Sequence, residues 1–137
     1  MVRIIMGLKG SGKTKRLVEL VHTAVKEESG NVVCIEKDRK LTYDIPYQAR
    51  LIHASEYGIC TNAMLKGFIS GLHAGNYDIT HVFIDNFYKM LDNTSDEAVS
   101  AFLAWLDAFS EQENVKFTIS AGVDPSTVSE DIRKFVI

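Results

Sequence analysis

A chain of 137 residues can bury one hydrophobic core and is short for two ordinary domains. Its 46% hydrophobic and 24% charged composition is that of an ordinary folded protein, and two prolines and nine glycines are too few for a low-complexity chain. The formal charge of −3 supplies no basic field, so a nucleic-acid backbone is not an indicated partner.

Cys34 and Cys60 are too few for a disulfide framework or a zinc motif. No window approaches the roughly 20 apolar residues of a membrane span. The opening Met-Val-Arg-Ile-Ile-Met-Gly lacks the basic region and long apolar core of a signal peptide, so the expected location is the cytoplasm.

Val2 to Met6 is a short apolar run ending at a glycine, the pattern of a buried parallel strand. Residues 7–14, Gly-Leu-Lys-Gly-Ser-Gly-Lys-Thr, form a glycine-rich turn. Leu17, Val18, Leu20, Val21, Ala24 and Val25 then recur at helical spacing over residues 14–28, and Ser29-Gly30-Asn31 punctuates the end. Val32-Val33-Cys34-Ile35 reads as a second buried strand, with Cys34 an inert thiol, and leads into Glu36-Lys37-Asp38-Arg39-Lys40.

Residues 41–49 read as irregular, since Pro46 bars a helix interior, and Arg50 to Ala54 reads as a short third strand. Thr61 or Asn62 caps a helix carrying Ala63, Met64, Leu65, Phe68, Ile69 and Leu72 that ends near Gly75. Ile79 to Asp85 is a strand with an acid at its end. Thr94 with Glu97 reads as a capping box for a helix with Val99, Phe102, Leu103, Leu106 and Phe109 on one face. Val115 to Ser120 is another strand, and Asp124-Pro125 is the cap and first-turn proline of a last short helix before the apolar tail Phe135-Val136-Ile137.

This alternation runs without linker or repeat. It predicts one α/β domain over residues 1–137, a mostly parallel sheet with helices on both faces. A binding site is then expected beyond the carboxyl ends of the strands.

The chemistry concentrates at residues 7–14, which match the Walker A pattern between a strand and a helix. A chance match in a chain of this length has odds of about half a percent, so a glycine turn alone is the weaker reading. Gly7, Gly10 and Gly12 let the backbone curl around phosphates, and the N–H groups there open onto a helix N-terminus. Lys13 reaches the outer phosphates, while Thr14 suits a magnesium ion; Lys9 and Ser11 sit at free positions, adding a donor or facing solvent.

His81-Val82-Phe83-Ile84-Asp85 resembles a Walker B segment, which makes Asp85 the second magnesium partner, opposite Thr14. Asn86 stands where many ATP-hydrolysing proteins carry a Glu, and an amide takes up no proton at neutral pH. Glu36 and Asp38 are candidate bases toward a second substrate, with Arg39 or Lys40 pairing a phosphate, or else the segment is a solvated charged turn. Thr118 and Ser120 are candidate hydroxyl sensors of the outer phosphate.

Arg39, Arg50 and Arg133 are available to a transferring phosphate, with nothing to select among them. His22, His53, His73 and His81 have no ligand-like spacing. Trp105 follows helix spacing and is expected in the core. Tyr43, Tyr47 and Tyr57 are expected to pack on the domain, with stacking on a base or a partner as the alternative.

The order Walker A, two strands, Walker B, then a strand ending in Thr and Ser resembles the P-loop branch that includes RecA-like ATPases. The resemblance implies a three-layer P-loop NTPase fold in which the strand after Walker B inserts between the Walker A and Walker B strands. Phe83-Ile84-Asp85-Asn86-Phe87 and Ser120-Ala121-Gly122-Val123-Asp124 are similar to segments of type II thymidine kinases, whose zinc lobe and nucleoside lasso have no counterpart here.

Over nearly the full length the chain resembles small stand-alone P-loop proteins of unassigned function. The shared features are Gly-Ser-Gly-Lys-Thr at 10–14, Ile35 to Asp38, Tyr43-Asp44 and Ile84-Asp85. Some of those proteins are labelled after twitching-motility ATPases, yet this chain lacks the length and the histidine-bearing motifs of those motors.

Three readings follow. The first is an ATP-Mg2+ binding protein whose hydrolysis is slow or waits on a partner, either another copy or a different protein, that supplies an arginine. ATP is expected over GTP because no Asn/Thr-Lys-x-Asp guanine pattern is present. The second is a small-molecule or nucleoside kinase using Glu36 or Asp38. The third is a non-catalytic interaction module.

Overall fold

The computed structural model describes all 137 residues. The apolar runs become five strands: β1 (Val2–Met6), β2 (Asn31–Glu36), β3 (Ala49–His53), β4 (Ile79–Ile84) and β5 (Lys116–Ala121). Between and after them lie α1 (Lys13–Glu27), α2 (Asn62–Gly75), α3 (Asp96–Glu113) and the single turn α4 (Glu130–Arg133).

The strands form one sheet in the order β1-β5-β4-β2-β3, and every pairing in it is parallel. Parallel strands require crossovers, and the helices that supply them cover both faces of the sheet. The last strand in sequence, β5, inserts between β1 and β4. The loops after β1, β4 and β5 therefore meet at one end of the sheet.

Side-chain alternation divides the core into two layers. One face presents Ile5, Val32, Cys34, Ala49 and Phe83, and α1 closes it with Leu17, Val21 and Ala24. Leu41 and Ile45, from the irregular segment after β2, complete this layer. The other face packs Ile4, Val33, Ile35, Val82, Ile84, Phe117 and Ile119 under α2, α3 and α4. Cys34 is fully buried, and desolvation pushes its thiol well above the usual range. Trp105 packs its ring against Phe102 and Phe109 beside the second layer. No helix is long and apolar enough to cross a membrane.

The helix starts differ in detail from the sequence expectations. Thr61 is the cap of α2, its hydroxyl accepting from Met64 N. Ser95, not Thr94, caps α3 by accepting from Ala98 N. Asp124-Pro125 opens a short 3-10 turn over Pro125–Thr127, and the following α4 begins after Ser129. The apolar tail is not loose: Ile4 N donates to Phe135 O and Ile137 N to Ile4 O. This pairing covers the outer edge of β1, which would otherwise present open backbone groups.

Candidate functional site

The loop after β1 is shaped by backbone that only glycine adopts without strain. Gly10 and Gly12 have φ of 87° and 80°, in the left-handed region. At Gly7 a Cβ would lie 2.5 Å from Ser11 Oγ, so the loop closes on itself there. Gly7 N donates to Ala121 O at 3.2 Å, which ties the start of the loop to the end of β5. Gly12 is the N-cap of α1 and offers no side chain, so the first N–H groups of that helix remain available to an anion.

The acid at the end of β4 is held at this loop by contacts from three elements. Thr14 Oγ1 donates to Asp85 Oδ1 at 3.2 Å, across 71 residues of sequence. Ser120 Oγ donates to the same oxygen at 2.6 Å and accepts from Asn86 N at 2.9 Å. Asn86 Nδ2 reaches Asp85 Oδ2 at 3.4 Å. Asp85 itself continues the sheet, its N–H donating to Ile35 O at 2.9 Å, and is only 4% exposed. Asn86 turns the chain with φ 55°, a conformation Asn tolerates better than most residues.

Above this network lies a cleft of about 460 Å³ whose lining contains no hydrophobic residue. Lys9, Lys13 and Lys15 enter it from the loop and α1, Lys40 from the segment after β2, and Lys89 from the turn after β4. None of the five ammonium groups takes part in any of the chain's ion pairs or side-chain hydrogen bonds. Ser11 is not part of the lining, its hydroxyl lying against Gly7 instead. Five cations and a set of backbone donors around a polar cleft are the chemistry of an oligophosphate site.

The Thr14–Asp85 oxygen pair is also the donor type magnesium prefers. No group of three or more His, Cys, Asp and Glu side chains that could hold a metal ion occurs in the chain. Such an ion would therefore take its remaining ligands from phosphate and water, as magnesium commonly does.

A second cleft of about 490 Å³ adjoins the first and shares Thr14 and Lys15 with it. Val18 and Leu41 give it an apolar surface, and Glu19, His22 and Asp44 give it polar groups. His22 Nε2 lies 2.9 Å from Asp44 O, which joins α1 to the segment after β2.

The structure separates the other candidates. Glu36 is only 3% exposed and does not lie in a solvated turn. Its carboxylate accepts from Lys40 N at 2.8 Å and from Leu41 N at 3.1 Å, with His53 Nδ1 3.4 Å away. It closes its own loop and lines neither cleft. Asp38 is exposed and likewise lines neither, its carbonyl lying 2.9 Å from His53 Nδ1.

Ser120 joins the Asp85 network, but Thr118 does not. The Thr118 hydroxyl lies toward the amino end of the sheet, 2.9 Å from His81 Nε2 and accepting from Arg3 Nη2 at 3.3 Å. His81 is a satisfied core histidine stacked on Phe83. Burial, helped by Arg3 and Lys116 and opposed by Glu28, lowers its pKa to about 4.

None of the three arginines lines the cleft. Arg39 pairs with Glu56, Arg133 with Glu130, and Arg50 lies exposed on the edge strand β3. Tyr43 and Tyr47 do not pack on the domain, being 100% and 91% exposed, whereas Tyr57 sits against Phe68.

Sequence reasoning missed Lys89 as part of the site and named Lys40 only as an alternative to Arg39 for pairing a phosphate. The available signal was a basic residue within five positions of the carboxyl end of two neighbouring strands. No protein-family model matches the chain, and no curated protein matches it.

Proposed function

We propose that this chain is a P-loop protein that binds a nucleoside triphosphate with magnesium, ATP before GTP, and hydrolyses it slowly or only with a partner. The observation that carries the reading is the Thr14–Asp85 pair at 3.2 Å, set at the mouth of a glycine loop and a helix N-terminus. A Walker A hydroxyl and a Walker B carboxylate meet in this way when both face one metal ion. The insertion of β5 between β1 and β4 supports the RecA-like form of the fold.

In this reading the loop N–H groups and Lys13 hold the phosphates, Thr14 and Asp85 hold magnesium, and Ser120 fixes the rotamer of Asp85. Bound magnesium neutralises charge on the outer phosphate oxygens. Asn86 donates to Asp85 and accepts no proton from an attacking water. Calorimetry with ATP and GTP, with and without magnesium, tests the reading. Micromolar ATP binding that is lost in Lys13→Ala and loses its magnesium dependence in Asp85→Asn is expected. No affinity for either nucleotide overturns it. Rapid hydrolysis by the isolated protein, abolished in Lys13→Ala, overturns the slow-switch part alone.

The adjoining cleft favours a second reading, a kinase whose acceptor lies between α1 and the segment after β2. Thr14 borders both clefts, so a ligand in the second sits next to the metal end of the phosphates. Glu36 is engaged and Asp38 stands outside, so Asp44 and Glu19 are the carboxylates nearest such an acceptor. Phosphorylated product from an acceptor screen, lost in Asp44→Asn, supports this reading. ATP consumption independent of every acceptor counts against it.

A further inference from the structure

The cleft holds two lysines that the glycine loop and its helix do not supply, and both backbones are anchored. Lys40 N donates to Glu36 Oε1 at 2.8 Å, and the next residue, Leu41, is buried in the α1 layer. Lys89 N donates to Asn86 O at 3.0 Å, and its turn is fixed by the fully buried Phe87 and Met90. The main chain is thus pinned beside each lysine while the ammonium group is left without a partner.

Their position along the cleft follows from the sheet. Lys89 comes four residues after Asp85 in the same connection, and Lys40 follows β2, the strand whose Ile35 O accepts from Asp85 N. Both therefore stand on the Asp85 side, where the metal pair places the outer phosphates. Lys9, Lys13 and Lys15 belong to the loop and helix side.

We infer that Lys40 and Lys89 form a clamp on the terminal phosphate of a nucleoside triphosphate, supplied within the same chain from the connections after two neighbouring strands. The inference rests on the nucleotide reading above and adds to it a selectivity for triphosphate over diphosphate. It also assigns a role to Glu36: its buried carboxylate is a positioning group that holds the Lys40 loop against the cleft.

Lysine suits such a clamp as a point charge without demanding a fixed fork geometry. The terminal phosphate carries the charge that a diphosphate lacks. Removing a lysine that touches only this group leaves diphosphate binding intact.

The test is the affinity for ATP and for ADP in magnesium, measured on the native protein, Lys40→Gln, Lys89→Gln, the double variant, Glu36→Gln and Lys13→Ala. Circular dichroism checks that each variant is folded. Each clamp substitution is expected to weaken ATP about tenfold or more, the loss of one charge-assisted contact, and to change ADP by less than about threefold. Glu36→Gln is expected to shift the ATP/ADP ratio in the same direction as Lys40→Gln, and to have little further effect in a Lys40→Gln background.

Equal losses on ATP and ADP, or no loss on either, overturn the clamp while Lys13→Ala still abolishes binding. Absence of nucleotide binding by the native protein overturns the clamp and the nucleotide reading together.

Discussion

Five unpaired ammonium groups around one cleft repel each other whenever no anion lies among them, so the site should lower the stability of the free protein. Replacing Lys89 by Gln is the direct perturbation, because its ammonium group takes part in no ion pair or side-chain hydrogen bond whose loss would offset the gain. A sphere with the cleft's volume of about 460 Å³ is about 10 Å across, and two charges that far apart in water interact by about 0.4 kcal/mol. Lys89 faces four other lysines, and attraction to Asp85 offsets about one of those four repulsions, leaving about 1.2 kcal/mol before screening.

At 10 mM salt the Debye length of about 30 Å leaves most of this, close to 1 kcal/mol; at 0.15 M about 8 Å leaves roughly 0.3 kcal/mol. Lys89→Gln is therefore expected to raise the midpoint of thermal unfolding by about 3 °C at 10 mM salt and by about 1 °C at 0.15 M. Lys26→Gln serves as the control. That residue lies in the last turn of α1, where a cation favours the helix, and its loss should lower the midpoint slightly. Differential scanning calorimetry at both salt concentrations reads the effect. A Lys89→Gln protein less stable than native at low salt, or a difference that ignores salt, would refute the reasoning.

Three further outcomes are expected. His81 has its pKa lowered from 6.5 to about 4, so between these values the unfolded chain binds more protons than the folded one. Its contribution is fully present above about pH 6.5 and is lost as the pH falls toward 4, at a cost of about 3 kcal/mol relative to His81→Gln, read from urea midpoints across this range. Ser120→Ala removes the 2.6 Å bond to Asp85 and the acceptor for Asn86 N, costing about 1–3 kcal/mol of stability. The same variant should weaken nucleotide binding in magnesium more than in chelator, by paired titrations. Thr118→Val leaves His81 and Arg3 short of a partner and should lower stability while nucleotide affinity stays within about twofold, since no contact links Thr118 to the Asp85 network.

The elements were legible because strands buried on both sides read as continuous apolar runs, as in Val32 to Ile35 and Val82 to Ile84. The glycine loop and Asp85 were legible because their chemistry needs fixed residue types at fixed places. Depth along a strand was harder to read. Thr118 and Ser120 are two residues apart on β5 and so share a face, but those two steps along the strand take a side chain from the His81 pair to the Asp85 network.

Glu36 was ambiguous for another reason. An acid after an apolar run marks a solvated turn as readily as a carboxylate that folds back onto residues four and five positions later. Thr94 and Ser95 are both good caps, and which one serves depends on backbone angles that neighbouring letters do not specify. Lys40 and Lys89 converge only because β2 and β4 are adjacent in the sheet. That adjacency is set by the crossovers and not by any local pattern.

The distribution of donors and acceptors around the cleft bears on why the proposed activity should be slow. Ammonium groups and backbone N–H groups donate, so the cleft is rich in groups that stabilise anions and poor in groups that remove protons. No carboxylate lines the cleft, and that of Asp85, which bonds the lining residues Thr14 and Asn86, is occupied: Thr14 and Ser120 share Oδ1, and Asn86 is on Oδ2. Glu36, the next buried carboxylate, spends both oxygens on the Lys40 loop. A water beside the terminal phosphate would meet no base belonging to this chain, however well the phosphate is held. Fast turnover then requires an acceptor atom from outside the phosphate cleft, whether a partner's side chain or a second substrate in the adjoining cleft beside Asp44 and Glu19. In the proposed reading the lysines serve binding, and the absence of a free carboxylate among them leaves the deprotonation step to whatever binds next.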